Sequence, residues 1–178
     1  FGMIAFGNIP RTMVPMLKAF GLHLLVYAPT VPDDVLARYD VQRAKTLEDL
    51  LSASDYVSVH CPLRKENVDL IAAPELSLMK PTVFLINTAR GRIVNESALA
   101  NALTKKCIAG AALDVLAQEG NGDHPLYHLD NVIVTPHTAF YSEQSMADMR
   151  VKAMEQVLSV IRDEKAPSNL LNKNVLPN

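Results

Sequence analysis

Three side chains with the chemistry of an acid–base site each follow a short apolar run of the sequence. They are Arg90, Glu119 and His137. An imidazole exchanges protons near neutral pH, a carboxylate can pair with it, and a guanidinium can hold a substrate carboxylate through two parallel hydrogen bonds. Any one of them alone is typical of a surface ion pair or a helix cap. Three such groups at the ends of strands favour a catalytic site.

The elements that must position these groups are short apolar runs rich in β-branched residues, which alternate with helical patterns. The runs cover residues 3–6, 22–27, 56–60, 82–87, 107–115 and 132–135, with a weaker run near Val41. This alternation predicts an α/β fold, a doubly wound parallel sheet (Rossmann-like) with helices on both faces. Ligands bind beyond the carboxyl ends of the strands in such a sheet, so the three charged groups are expected along one edge.

Two helices have clear starts. Thr46 and Asp49 have the spacing of a capping box and predict a helix over Leu47–Ala53. The longest helix is predicted to begin at Ser142, with Glu143 in its first turn. Its apolar residues recur every three or four positions on one face, so we interpret its methionines as core packing.

Composition excludes several classes of protein. The chain has 178 residues, of which 49% are hydrophobic and 20% charged, and a net charge of −2. These values indicate a globular fold without a basic surface for nucleic acid or for an anionic membrane, and no apolar run has transmembrane length. Cys61 and Cys107 have no paired spacing, which favours reduced thiols in the cytoplasm. No histidine has metal-ligand spacing, so no metal site is predicted.

The first strand leads into a turn that keeps part of a dinucleotide-binding motif. Aligned with G-x-G-x-x-G, residues 5–10 read AFGNIP, so that only Gly7 retains glycine. Such a turn, with the helix N-terminus after it, holds a pyrophosphate through backbone amides. On this motif alone, an ordinary tight turn between a strand and a helix is as good an interpretation as a cofactor site.

The end of the second strand normally reads the ribose of the cofactor. An acid there binds the ribose hydroxyls of NAD, and an arginine nearby accommodates the 2′-phosphate of NADP. This position holds Ala28, while Asp33 and Asp34 come later and are interpreted as capping residues of a helix. The sequence therefore leaves the choice between NAD and NADP open.

Five motifs occur in a specific order and spacing. They are HCPL at 60–63, MKP at 79–81, NTARG at 87–91, GAALDV at 110–115 and TPH at 135–137. With these motifs the chain resembles the cofactor-binding domain of the D-isomer-specific 2-hydroxyacid dehydrogenase family, from its first strand to its last residues. Within that family, residues 61–67 and 137–144 look most like the branch that contains the C-terminal-binding proteins, which are corepressors that bind NAD(H).

The resemblance implies an oxidoreductase that transfers a hydride between a nicotinamide cofactor and the C2 of a small D-2-hydroxy or 2-keto acid. His137 would be the acid and base, Glu119 would pair with its imidazole, and Arg90 would orient the substrate carboxylate. NAD is the expected cofactor, with NADP left open, and the expected assembly is a homodimer. The alternative is an NAD(H)-sensing interaction module, similar to the corepressors, with little or no turnover.

The same resemblance assigns the cofactor contacts. They are Gly7, Asn8, Ile9 and Pro10 in the first turn, Ala28 after the second strand, Cys61, Pro62, Leu63, Asn67, Thr88, Ala89 and Arg90 along the groove, and Asp114 and His137 at the nicotinamide. Asp114 would hold the nicotinamide amide. The family usually has glycine at positions 5 and 10 and an acid at 28, so we expect the cofactor contacts to be more altered than the catalytic groups.

The expected domain organisation is a dinucleotide-binding domain over residues 1–165, truncated at its N-terminus. A tail over residues 166–178 would return towards a substrate domain that this sequence lacks. Such a domain closes over the cleft in the family, so this chain by itself is expected to be inactive.

Overall fold

The computed structural model describes residues 1–120, 122–163, 165–167, 169–170 and 172. Within them, the strands are β1 (Gly2–Ile4), β2 (Leu25–Tyr27), β3 (Gln42–Arg43), β4 (Tyr56–Val59), β5 (Phe84–Asn87), β6 (Gly110–Leu113) and β7 (Val132–Val134). They form one parallel sheet in the order β3-β2-β1-β4-β5-β6-β7. The order reverses between β1 and β4, which is where a crevice for ligands opens in sheets of this kind.

Six α-helices lie between or after the strands in the described residues, and a short 3₁₀ helix connects β6 to β7. The α-helices are α1 (Asn8–Ala19), α2 (Asp33–Arg38), α3 (Leu47–Ala53), α4 (Ala73–Leu78), α5 (Glu96–Thr104) and α6 (Glu143–Ile161). None of these helices combines the length and the apolar character needed to cross a bilayer.

The buried side chains form two clusters, one on each face of the sheet. Met3 and Ile4 are neighbours in β1 and therefore point to opposite faces. Met3 joins the cluster that contains Val14 of α1 and Leu36 of α2, whereas Ile4 joins the cluster that contains Leu50 of α3. The predicted doubly wound sheet with helices on both faces is thus confirmed.

The predicted helix starts are confirmed by their caps. The Thr46 hydroxyl accepts a hydrogen bond of 3.0 Å from the amide of Asp49, whose carboxylate accepts one of 3.0 Å from the amide of Thr46. The hydroxyl of Ser142 accepts a bond of 3.0 Å from the amide of Ser145 at the start of α6. These contacts join residues three positions apart, which is why a local sequence pattern predicts them.

The chain divides into two compact units, Phe1–Ala139 and Phe140–Asn178. The first contains the whole sheet, and the second contains α6, none of whose residues is buried. The interpretation of its methionines as core packing is therefore wrong, because both buried clusters are built from residues before 139. The domain boundary at 165 stays a prediction, and most of the tail over 166–178 lies outside the described residues.

Candidate active site

Glu119 and His137 meet beyond the carboxyl ends of β6 and β7. Nδ1 of His137 lies 2.9 Å from Oε1 and 3.0 Å from Oε2 of Glu119. Both side chains line a cavity of about 390 Å³, together with Asp114 and Tyr127. Because the carboxylate engages Nδ1, Nε2 is the imidazole nitrogen that would exchange a proton with a substrate in this cavity.

The loop that carries His137 is held by Asp114, which is buried at the end of β6. Oδ1 of Asp114 accepts hydrogen bonds from the hydroxyl of Thr135 and, at 2.8 Å, from the amide of Thr138, while Oδ2 accepts one of 2.9 Å from the amide of Ala139. His137 itself has a φ of 54°, in the left-handed region that a non-glycine residue keeps only where its surroundings enforce it. The hydrogen bonds to Asp114 hold the loop in this conformation.

The same contacts set the ionisation of Asp114. Burial raises the pKa of its carboxyl group, but the hydrogen bonds from Thr135, Ala139 and Thr138, together with the charge of His137, outweigh burial and hold the pKa below its usual value. An ionised carboxylate accepts three bonds where a protonated one would lose an acceptor. The family resemblance implied that Asp114 holds the nicotinamide amide, which stays a prediction, and it did not indicate this role in positioning the histidine loop.

Arg90, the third predicted catalytic residue, lines a different cavity from His137 and Glu119. Its turn is folded by the buried side chain of Asn87, which accepts a bond of 3.0 Å from the amide of Ala89 and donates one of 3.0 Å to the carbonyl of Arg90. Nη1 of Arg90 donates to the carbonyl of Ala89 at 2.6 Å. The structure therefore places Arg90 and His137 at the same sheet edge, in two cavities that share no lining residue.

Two contacts position the loop that carries Glu119, the predicted catalytic carboxylate. A Cβ atom added to Gly91 would lie 2.0 Å from the carbonyl carbon of Leu116, so this position has room for glycine alone. The carboxylate of Glu96, at the start of α5, accepts a bond of 2.6 Å from the amide of Ala117 and lies 3.1 Å from Nε2 of His124. Sequence reasoning missed Glu96, since both partners lie more than twenty residues away.

The residues predicted to hold the cofactor lie along a groove across the carboxyl ends of the strands. Four cavities, of about 530, 390, 210 and 390 Å³, follow one another from β2 to β7. The first and second share Cys61 and Pro62, the second and third share Thr88, and the third and fourth share Asp114 and Thr135. An elongated groove at this edge fits an extended dinucleotide.

All but two of the predicted cofactor residues line these cavities. Gly7, Ala28, Cys61, Pro62 and Asn67 line the first, Ile9, Leu63, Thr88, Ala89 and Arg90 the second, and Asp114 and His137 the last. Asn8 and Pro10 line none of the four. Pro10 is instead buried in the first turn of α1, where its missing N–H costs no helical hydrogen bond.

The turn between β1 and α1 has the geometry of a phosphate-binding site. Ala5 has a φ of 75°, the left-handed conformation that favours glycine and costs an alanine on the order of 1 kcal/mol. A Cβ atom added to Gly7 would meet no atom within 4 Å, so the turn is open on that side. The first turn of α1 contains no acid, and no side chain caps it, which leaves its amides available to an anion. These residues fit the pyrophosphate of a dinucleotide.

A sheet that reverses its strand order, with a ligand groove and an open glycine turn at the reversal, defines a dinucleotide-binding domain of the doubly wound class. Residues 1–139 match the sequence profile of the D-isomer specific 2-hydroxyacid dehydrogenase, NAD binding domain. The chain belongs to this family, whose domain is described as binding NAD.

Individual relatives agree with this assignment. The chain is 35% identical to a glyoxylate reductase of Thermococcus litoralis, with 98% of this chain and 52% of the relative covered. It is 34% identical to a D-3-phosphoglycerate dehydrogenase of Methanocaldococcus jannaschii, over 99% of this chain and 33% of the relative. The chain therefore spans about half the length of the first relative and a third of the second.

Solved structures share the fold. The D-lactate dehydrogenase of Lactobacillus jensenii, crystallised with NAD⁺, superimposes with a TM-score of 0.84 at 30% identity, over 93% of this chain and 53% of that one. The finer resemblance to the corepressor branch stays a prediction, because none of these relatives carries such a name.

Proposed function

We propose that the protein containing this chain is an NAD(P)-dependent oxidoreductase that interconverts a small 2-keto acid and the corresponding D-2-hydroxy acid. The observation that carries the proposal is the pair formed by His137 and Glu119, 2.9 Å apart in the last cavity of the groove. An imidazole oriented by a carboxylate is a general acid and base for a carbonyl oxygen. Membership in the dehydrogenase family supports the same reaction.

Each side chain has a definite task in this reaction. The cofactor, when bound, supplies or accepts the hydride. His137 donates a proton from Nε2 to the keto oxygen during reduction and takes one from the hydroxyl during oxidation. Glu119 holds the ring through Nδ1, and Arg90 binds the substrate carboxylate through paired N–H groups. Asp114 acts as a positioning residue, since its contacts fix the loop around His137.

The test uses the full-length protein, with glyoxylate and pyruvate as the first substrates because relatives are named glyoxylate reductase and D-lactate dehydrogenase. His137→Gln is expected to lower kcat by about 10²- to 10⁴-fold while the Kd for NADH changes by less than about twofold. The matched control is His128→Gln, since His128 is exposed and pairs with Asp123 at 2.7 Å outside the groove.

Unchanged turnover in His137→Gln would overturn the assigned role. Binding of NADH without reduction of any 2-keto acid would instead favour the NAD(H)-sensing interaction module. The two outcomes are separable because binding is followed by nicotinamide fluorescence and turnover by the consumption of NADH.

Assembly and compartment complete the proposal. A homodimer with two-fold symmetry is proposed because such dimers are the commonest assembly of soluble oligomeric proteins, and light scattering of the full-length protein would test it. Cys61 and Cys107 form no disulfide, which suits the reducing cytoplasm. A net charge of −2 supports the expectation that nucleic acid is not a partner.

A further inference from the structure

The first cavity of the groove is lined by positively charged side chains. This nucleotide cavity, of about 530 Å³ at the ends of β1, β2 and β4, is lined by Arg11 and Arg64 and by no aspartate or glutamate of the described residues. At the end of β2, where an acid commonly binds the ribose hydroxyls of NAD, the buried Ala28 is present. The cavity is therefore cationic where a ribose-binding site is usually anionic.

Arg11 is held in place but has no anionic partner within the described residues. Its guanidinium carbon lies 5.7 Å from the ring centre of Phe6 and 6.0 Å from that of Tyr39, so two aromatic rings fix its orientation. Nε of Arg11 is buried and has no hydrogen-bond acceptor among the residues that the structure describes. A buried donor without an acceptor is unfavourable, and an anion entering the cavity would relieve that cost.

The two aspartates that follow β2 form ion pairs with arginines outside the cavity. The carboxylate of Asp33 accepts a hydrogen bond from Nε of Arg43, whose Nη1 donates to the carbonyl of Ala28 at 2.9 Å. Asp34 accepts a bond of 2.7 Å from Nη2 of Arg38. Neither acid lines the nucleotide cavity. These ion pairs remove the two carboxylates that would otherwise bind ribose hydroxyls or repel a phosphate.

We propose that Arg11 and Arg64 bind the 2′-phosphate of NADP(H), so that the protein binds NADP(H) more tightly than NAD(H). This inference rests on the proposed function, because it places a nicotinamide dinucleotide in the groove. A phosphate monoester carries nearly two negative charges at neutral pH, and guanidinium groups bind its oxygens in pairs. Thr30 lines the same cavity and adds a hydroxyl donor. Arg64 is exposed and has no carboxylate within 4.0 Å in the described part of the chain.

The experiment is isothermal titration of the full-length protein with NADPH and NADH, and with adenosine 2′,5′-bisphosphate and AMP as probes that need no turnover. NADPH is expected to bind at least about tenfold more tightly than NADH, and the bisphosphate more tightly than AMP by a similar factor. Arg64→Gln should weaken NADPH about tenfold and leave NADH within about twofold. Arg38→Gln is the matched control, because Arg38 is exposed and outside the cavity; it should change neither affinity.

Arg11→Gln and Arg11→Lys complete the set. The glutamine variant should lose affinity for NADPH selectively, and the lysine variant, which keeps the charge, should recover part of it. Thermal unfolding of each variant reports whether the loss comes from the fold, and the exposed Arg64 provides a test independent of packing. Ala28→Asp places an acid at the end of β2 and should shift the preference towards NADH.

Three outcomes would overturn the inference. If NADH binds as tightly as NADPH, the inference fails while the proposed function stands. If the variants of Arg11 and Arg64 weaken both cofactors equally, these arginines contact the pyrophosphate that both cofactors share. If neither cofactor binds, this inference and the proposed function fail together.

Discussion

The two ends of the groove differ in how their charged groups are satisfied. At the end formed by β6 and β7, Glu119 pairs with His137, and Asp114 accepts three hydrogen bonds. At the end formed by β1 and β2, Arg11 and Arg64 have no carboxylate partner among the described residues. The first end, called the catalytic end after its proposed role, has its charged groups paired within the fold. The second, called the nucleotide end, offers cationic groups that we propose an anion pairs with.

Backbone strain shows the same contrast. Both ends hold a non-glycine residue in the left-handed region, Ala5 with a φ of 75° and His137 with a φ of 54°. The loop around His137 is tied to Asp114 by bonds from the residues on both sides of the histidine. Ala5 donates its amide to the carbonyl of Tyr27 at 2.8 Å, as the continuation of a strand. Hydrogen bonds to the side chain of Asp114 hold His137 in its strained conformation. The backbone hydrogen bond to the neighbouring strand holds Ala5.

Removing the carboxylate of Asp114 should destabilise the catalytic end. Asp114→Ala leaves the amides of Thr138 and Ala139 without their acceptor in a buried region, and we expect the free energy of unfolding to fall by about 3 kcal/mol. Urea unfolding of the full-length protein measures this change. Asp123→Ala is the control, since Asp123 is exposed and pairs only with the exposed His128, and it should cost less than about 0.5 kcal/mol. Equal losses in both variants would contradict the contrast.

Low pH should lower the stability of the protein through His60, which follows β4 between the two ends of the groove. Burial lowers the pKa of His60 to about 4 from its ordinary 6.5, so the unfolded chain binds a proton first as the pH falls. Stability is therefore lost from about pH 6.5 down to about pH 4, and amounts to about 2–3 kcal/mol between pH 7.5 and 4.5.

Urea unfolding at these two pH values tests this loss. His60→Gln should remove most of the pH dependence, since glutamine keeps a partner for the hydroxyl of Ser58, which lies 2.9 Å from Nε2 of His60. His128→Gln should leave the pH dependence as it is in the parent protein. A variant at position 60 that keeps the full loss would show that other groups cause it.

Glu96 tests the loop of the catalytic end. Glu96→Ala leaves the amide of Ala117 and the ring of His124 without their acceptor, and should cost about 1–2 kcal/mol. Because this loop carries the catalytic carboxylate, kcat should fall while the Kd for NADH stays the same. Glu155→Ala, at an exposed position of α6, is the control and should change neither quantity. A loss of cofactor affinity in the Glu96 variant would mean that the two ends are not independent.

The smallest effect is expected at the strained turn of the nucleotide end. Ala5→Gly removes the steric cost of a positive φ and should raise the free energy of unfolding by about 0.5–1 kcal/mol. Ala100→Gly, within the regular helix α5, should lower it by about 1 kcal/mol. Differential scanning calorimetry measures both shifts. A destabilised Ala5→Gly variant would contradict the assignment of strain to this residue.

Local patterns predicted the elements well, for reasons that particular residues make plain. The capping box of Thr46 and the cap at Ser142 join residues three positions apart, so their geometry depends on sequence neighbours alone. The shared edge of Arg90, Glu119 and His137 followed from the rule that parallel strands present their carboxyl ends together. Which cavity each side chain lines depends on the conformation of its loop. Arg90 lines one cavity, whereas Glu119 and His137 line another.

By itself, the sequence determined the parallel sheet with helices on both faces, the helix starts and the candidate catalytic groups, because apolar period, caps and motif spacing are local properties of the chain. Tertiary structure alone decided that Asp114 holds the histidine loop, that α6 has no buried residue, and that Arg11 and Arg64 converge on one cavity. The physical reason is that these contacts join residues distant in sequence, whose meeting depends on how strands, helices and loops pack together.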